Sequence, residues 1–192
     1  YHQCVISHCT VLCTGSNEYG QLGTSQSRTI QSFEPVQNLT GSFISVHTSA
    51  NNGGKGTTCA LNNEGLLYCW GYNGDGKVGV AGHEYYYTPQ LVLEDVTDFS
   101  NGRYVVCALT KISLYCWGSN KQHHIDENRE KTFKQTVPKK MNSYLHGSME
   151  TLEKVWVSDD NTFLKNVHNK IFVRGWNNYG SLGMAVHEKI YK

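Results

Sequence analysis

The sequence predicts an all-β, turn-rich chain made of four repeated units. Three observations carry this: a turn-rich residue composition, a short pattern that returns four times, and three prolines that keep register with it. Only 17% of the 192 residues are charged, against roughly 25% in an average soluble domain. Gly (19), Asn (16) and Tyr (12) are abundant, while Pro is held to 3. Few charges and many uncharged polar residues argue against a helical bundle, a coiled coil or a disordered linker. The formal charge of +1 gives no general attraction to nucleic acid or anionic membrane. No apolar stretch approaches the ~20 residues of a membrane helix, and no signal peptide opens the chain. The abrupt start at Tyr1 reads as a processed, truncated or partial protein.

The repeated pattern runs from Val11 to Gly23, from Leu67 to Gly79, from Leu114 to Asn120 and from Ile171 to Gly183. Its leading glycines, Gly15, Gly71, Gly118 and Gly175, lie 56, 47 and 57 residues apart. A period of this size indicates repeated supersecondary units. Pro35, Pro89 and Pro138 follow the first three of these glycines by 20, 18 and 20 residues. The expected organisation is one repeat domain, 1–192, with approximate repeats 1–49, 50–97, 98–150 and 151–192.

Within a repeat the strand logic is explicit. Cys59–Leu61 and Leu67–Trp70 are short apolar segments around the polar turn 62–65, and Cys107–Leu109 with Leu114–Trp117 repeat them. These read as hairpins. Val5-Ile6 with Val11-Leu12 gives a first copy, and Phe163-Leu164 with Ile171-Phe172 a fourth. The following glycines suit positive-φ turns. Asn17, Asn73, Asn120 and Asn177 recur at one position, where a side-chain amide can tie down turn backbone. Leu22, Val78, Ile125 and Leu182 read as repeated core plugs. Outer strands are expected at 43–46, 91–96 and 154–157. Four strands every ~50 residues describe a propeller blade.

The seven cysteines form three close pairs, Cys4/Cys13, Cys59/Cys69 and Cys107/Cys116, leaving Cys9 over. None makes a CxxC, so zinc-ribbon and thioredoxin chemistry have no footing. Two readings stand: disulfides across short hairpins, which imply an oxidising compartment, or reduced thiols filling equivalent core positions. Asn38-Leu39-Thr40 is a glycosylation triplet available to a secreted chain.

The Gly-x-Asn-x-x-Gly-Gln-Leu-Gly signature, best kept at Gly15–Gly23, the upstream Ala-Leu and Tyr-x-Trp-Gly, and the following proline resemble the repeats of the regulator of chromosome condensation family. Cysteine directly before Trp-Gly resembles secreted, bacterial-type versions of the repeat. The resemblance implies propeller blades, and members typically form a seven-bladed ring. Four repeats are fewer than such a ring, so a partial propeller or open arc is expected, completed by a missing segment or a further chain. The third copy has His123 and Asp126 where its siblings have glycine. The fourth has Val173-Arg174 in place of Cys-Trp, with Trp176 displaced.

No HExxH, Gly-x-Ser-x-Gly or dinucleotide-binding glycine motif is present. The glycine run 53–58 lacks the Gly-Lys-Ser/Thr order of a phosphate loop and reads as a flexible loop. Nine histidines do not converge in sequence. His123-His124 with Asp126 and Glu127 reads as a solvated loop before it reads as a metal site, and as a specialised contact point in the most divergent repeat. Asp159-Asp160 reads as a solvated turn. Tyr85, Tyr86 and Tyr87 cannot all face one side of a sheet, so either an interface or local packing accounts for them. The expected protein is a non-enzymatic interaction or structural scaffold module in a larger extracytoplasmic assembly, secreted or at the cell surface. It needs no cofactor or metal and has a protein partner, with no nucleic acid and no membrane insertion. The alternatives are a carbohydrate or cell-surface ligand-binding propeller, and an enzyme whose site is assembled across blades.

Overall fold

Hairpin after hairpin, the apolar segments pair as the sequence predicts. The computed structural model describes residues 1–51, 53–121, 125, 133–141, 151–159, 161–175, 177, 180 and 182. Among the described residues there are fourteen strands: β1 (His2–Ser7), β2 (Thr10–Gly15), β3 (Ile30–Pro35), β4 (Phe43–Ala50), β5 (Gly56–Asn62), β6 (Leu67–Tyr72), β7 (Tyr85–Leu93), β8 (Val96–Asn101), β9 (Val105–Thr110), β10 (Leu114–Ser119), β11 (Lys134–Lys140), β12 (Leu152–Val157), β13 (Asn161–Asn166) and β14 (Ile171–Gly175). They form four antiparallel sheets, β1-β2-β3, β4-β5-β6-β7, β8-β9-β10-β11 and β12-β13-β14. No sheet closes on itself, and the four stand as blades of a partial, open propeller. Among the described residues no helix is long and apolar enough to cross a membrane.

The blades are offset from the sequence repeats: a division after residue 49 falls inside β4, and one after 97 inside β8. The strands expected on the outside at 43–46 and 154–157 belong to β4 and β12, which converge with β8 on the inner side of the array. Residues 91–96 are not one strand. They end β7 and begin β8 around Glu94-Asp95, with Asp95 at φ 58°. The outer edges are β3, β7 and β11, and these carry Pro35, Pro89 and Pro138. Proline has no N–H to give a ladder, and an edge strand needs none on its open side.

Period-2 alternation gives each blade two different faces. On β5 and β6, Cys59 and Cys69 point toward blade three, while Ala60 and Trp70 point toward blade one. Blade three repeats this, with Cys107 and Cys116 facing blade four and Ala108 and Trp117 facing blade two. The core therefore consists of three clusters, one per blade junction. Burying such faces against one another is what stabilises a stacked array, since no blade can bury both alone.

The six paired cysteines are disulfide-bonded: Cys4–Cys13, Cys59–Cys69 and Cys107–Cys116. Each pair occupies directly opposed positions of a hairpin. In blade four the same register position holds Phe163 opposite Val173, an apolar pair in place of the covalent one. Cys9 is free and exposed, in the β1–β2 turn with His8, both at positive φ.

The signature loop works as a junction device. Asn17, Asn73, Asn120 and Asn177 each accept, through Oδ1, the backbone N–H of Leu22, Val78, Ile125 and Leu182 respectively, at 2.7–3.0 Å. That bond folds the loop so that the apolar plug turns inward, and all four plugs are buried. The last signature glycine then meets the tryptophan of the next blade. A Cβ on Gly23 would lie 2.9 Å from Trp70 Nε1, and one on Gly79 would lie 2.7 Å from Trp117 Nε1. Both glycines also sit at positive φ, so space and backbone each exclude a side chain.

Candidate interaction surface

Strand direction decides which loops share an end of the molecule. β4, β6, β8, β10 and β12 run one way, so the turns after β4, β8 and β12 emerge beside the signature loops that follow β2, β6 and β10. The hairpin turns and the connections between blades lie at the opposite end. Asn38 is at that opposite end, exposed and at φ 58°, after β3. His123 and His124, the other expected contact residues, lie outside the described residues, as do Asp126, Glu127 and Asp160.

The tyrosine run begins β7, at the signature-loop end of blade two. Tyr87 donates its hydroxyl to Glu18 O (2.9 Å), and Tyr86 donates to Ala81 O (2.8 Å). The Tyr86 carbonyl fits against Gly20, where a Cβ would approach to 2.6 Å. These two tyrosines therefore fasten blade one to blade two and fix their own loop. Tyr85 alone is left exposed, at 45%. It stands edge-on to Tyr87, with centroids 5.6 Å apart, and pairs in register with Tyr72. Tyr72 in turn meets Tyr19 edge-on (5.8 Å), and Lys55 Nζ lies 4.8 Å from the Tyr72 ring centroid. The glycine loop that carries Lys55 leads into β5, not a helix, and Gly53 and Gly54 face open space.

Nearer the axis, Tyr1 and the strand ends Thr48–Ala50 and Asn101, with Asn51, Gly53, Gly102, Arg103 and Asp159, line an open cleft of about 770 Å³. Arg103 Nη1 and Asp159 Oδ2 bridge blades three and four at 3.3 Å. Behind the cleft lies Lys77, whose side chain is fully buried. Its Nζ donates to Ser49 Oγ, Ser49 Oγ donates to Asn101 Oδ1 (3.0 Å), and Asn101 Nδ2 donates to Thr57 O (3.0 Å) and His47 O (3.2 Å). Burial drives the Lys77 ammonium down to about 7, partly opposed by the carboxylates of Asp75 and Asp159. An amine removed from water is disfavoured in its charged form.

His2 is a second buried base nearby. Its Nε2 lies 2.9 Å from Thr58 Oγ1, and Thr58 gives its only hydroxyl proton to Gln21 O (2.7 Å). His2 Nε2 must therefore be the donor, leaving Nδ1 as a bare buried acceptor. Burial lowers this imidazole to about 4.

The tyrosines are legible in the sequence and the cleft is not. Its one sequence signal was Lys77 itself, a cation in the signature slot that Gln21 fills in the first copy. Ser49, Asn101, Arg103 and Asp159 belong to no motif, and only the convergence of three blades assembles them. Among the described residues no group of three or more His, Cys, Asp or Glu is placed to hold a metal ion.

Residues 64–109, from the turn before β6 to the end of β9, match the Regulator of chromosome condensation (RCC1) repeat. The chain is 30% identical over 144 residues to the Ultraviolet-B receptor UVR8 of Arabidopsis thaliana, covering 71% of this chain and 32% of that protein. It is 29% identical over 126 residues to the probable E3 ubiquitin-protein ligase HERC6 of Homo sapiens, covering 62% and 12%. It thus spans a third or less of the length of either relative. Among solved structures, human WBSCR16 superimposes with a TM-score of 0.75 at 18% identity, over 91% of this chain and 45% of that one. Prp20p from Saccharomyces cerevisiae gives 0.71 at 17%, over 94% and 44%. At these identities the likeness to solved structures concerns the fold. The chain carries an RCC1-type repeat, with disulfide-linked cysteines, in a propeller-like array of sheets.

Proposed function

We propose that this chain is a non-enzymatic protein-interaction or scaffold module that works in an extracytoplasmic assembly through its signature-loop face. One observation carries the reading: a single end of the array gathers exposed Tyr85, the Tyr19–Tyr72–Lys55 group and the polar cleft. Aromatic side chains that combine apolar area with a polar tip are the usual anchors of protein interfaces. Rigid blades presenting loops from several strands are a common way to build such a surface. The solved structure of Prp20p is described together with that protein's binding properties to Gsp1p and histones, which favours a binding role for a propeller of this shape.

Three hairpin disulfides support the extracytoplasmic part, because such bonds persist in oxidising compartments. Exposure of Asn38 is compatible with glycosylation there. The carbohydrate reading draws less support from the tyrosine run, where Tyr86 and Tyr87 direct their hydroxyls inward and Tyr85 is the exposed ring of the three. A photo-crosslinking residue placed at Tyr85, at Arg103 or, as the opposite-end control, at Lys111 tests the proposal. The expected result is one partner protein that crosslinks from Tyr85 and Arg103 and not from Lys111. When purified, it should bind the chain and lose affinity on Tyr85→Ala. Equal crosslinking from both ends, or a purified partner indifferent to Tyr85, would refute the reading.

A further inference from the structure

We propose that the corner formed by the Tyr19 and Tyr72 rings at the first blade junction receives a lysine side chain of a protein partner, with Lys55 of this chain as its resting occupant. The proposal rests on the interaction reading above and names the partner chemistry for that face.

The corner is an addition to the junction rather than a part of it. Tyr19 belongs to the signature loop of blade one, and Tyr72 ends β6 of blade two. At the second junction the same positions hold Asp75 and Ser119. Yet the tryptophan bond and the asparagine pin are made at both junctions. The two rings are therefore not needed to join blades. Their centroids are 5.8 Å apart and their planes meet at 76°. Lys55 shows that one ammonium reaches both, with Nζ 4.8 Å from the Tyr72 centroid and 5.8 Å from that of Tyr19. Tyr19, Tyr72 and Lys55 are all partly exposed, so the corner is open to a partner.

Electrostatics favour a positive charge there. Tyr72 first, then Tyr19 and Glu84, raise the Lys55 ammonium above its ordinary value, against desolvation. Glu18 and Glu84 both act on Tyr19, and both side chains are exposed. Among the described residues neither carboxylate forms an ion pair. One resident ammonium thus faces two carboxylates, which draws in a second cation. Beside Tyr72, Asp75 accepts from Asn51 Nδ2, and Lys134 Nζ donates to Gly74 O (3.3 Å). Those two opposite charges add nothing to the balance. Tyr1 lines the neighbouring cleft, and its amino group acts on His2.

Exchange asks little of the fold. Gly54 O accepts Gln21 Nε2 (3.2 Å), and Lys55 O accepts the Asn51 N–H (2.9 Å), so the backbone at Lys55 is held. Glu18 O is held in turn by Tyr87. Lys55 can leave by side-chain rotation alone, and an exposed cation–π contact is weak enough to release it. Tyr85, in register with Tyr72, extends the apolar surface along which the stem of an incoming lysine can lie.

The test is nuclear magnetic resonance titration of the whole chain with the blocked peptide acetyl-Gly-Lys-Gly-amide, against acetyl-Gly-Gln-Gly-amide. In the free chain, ring currents are expected to hold the Lys55 methylene protons upfield of their ordinary position. The lysine peptide should move them back and shift the amides of Tyr19 and Tyr72, while the glutamine peptide leaves both in place. Lys55→Ala removes the resident competitor and should tighten the lysine peptide by about two- to fivefold, the factor of an exposed cation–π contact. Lys111→Ala, the same change of charge at the opposite end, should not. Adding Tyr72→Leu or Tyr19→Leu to Lys55→Ala should abolish the gain, with unshifted amides in blades three and four verifying the fold. Unshifted Lys55 methylenes in the free chain, equal binding of the glutamine peptide, equal tightening by Lys111→Ala, or a gain that survives both tyrosine changes would overturn the proposal. Release of Lys55 on raising the protein concentration alone would assign the corner to a second copy and overturn it too. A partner that crosslinks at Tyr85 while the lysine peptide leaves the corner undisturbed refutes the corner alone. Lysine-peptide binding at the corner with no crosslinked partner refutes the broader reading alone.

Discussion

The junction of blades one and two and the junction of blades two and three are the same machine with one part exchanged. In the first, Trp70 Nε1 donates to Gln21 O (3.0 Å), and in the second Trp117 Nε1 donates to Lys77 O (2.9 Å). Asn17 and Asn73 pin their loops through the same Oδ1 bond, and Leu22 and Val78 fill the same core position. The exchanged part is the side chain of the residue whose backbone carbonyl accepts the tryptophan N–H. Gln21 is neutral and capped by the next blade, whereas Lys77 is a buried cation beside an open cleft. Backbone carbonyls and glycines therefore carry the assembly of blades, and the side chain at that slot is left to vary. A third junction extends the contrast, because Arg174 stands in blade four where Trp70 and Trp117 stand in their blades.

The largest break should come from the shared part. Trp70→Ala and Trp117→Ala should each cost about 3–5 kcal/mol, the usual range for a fully buried tryptophan, measured by urea denaturation. Similar losses at the two sites would support equivalence of the junctions. A loss below about 1 kcal/mol at either would break it.

Next comes the exchanged part. Lys77 is held at about 7 in the folded chain, against 10.5 for a free lysine. Between those values the unfolded chain binds more protons than the folded one. Stability contributed at this site therefore rises with pH across that window, by up to about 1.4 kcal/mol per pH unit, and is lost as pH falls from 10.5 through 7. Lys77→Gln should remove that slope and stabilise the chain at pH 7, with less gain at pH 10.5. Gln21 offers no such titration, so a pH-independent difference between wild type and variant would contradict a buried amine at the second junction.

The smallest effect separates the tyrosines. Tyr87→Phe deletes the hydroxyl bond to Glu18 O and should cost about 0.5–1.5 kcal/mol, as for one neutral hydrogen bond. Tyr85→Phe should leave thermal unfolding unchanged, because its ring is exposed and no bond from its hydroxyl fastens a blade. Equal losses in the two variants would erase the distinction between fastener and free surface.

Much of this architecture was legible from the chain alone, since repetition converts weak local signals into a strong one. Asn17 read singly is any turn residue, but four asparagines at one offset identify a loop pin, and all four make the same bond. The cysteine spacing marked hairpin partners, and the alternation of Cys and Trp along β6 and β10 already encoded two faces. Strand placement was less legible. Residues 91–96 read as one strand because apolar β-formers surround Glu94-Asp95, and nothing local shows that Asp95 adopts positive φ. The 43–46 and 154–157 segments read as outer strands and lie on the inner side, because edge position depends on which sheets meet, and no residue type records that.

The sequence by itself determined what each blade is: its hairpins, its opposed cysteines, its pinned loop and the faces it must bury. These follow from spacing and from the period of a strand, which are properties of neighbouring residues. The tertiary structure alone decided the surface. Two of three adjacent tyrosines were turned into fasteners, and a lysine in the signature slot was buried behind a polar cleft. Both outcomes depend on groups far apart in sequence, such as Tyr87 and Glu18 or Ser49 and Asn101, which meet only when blades pack against one another.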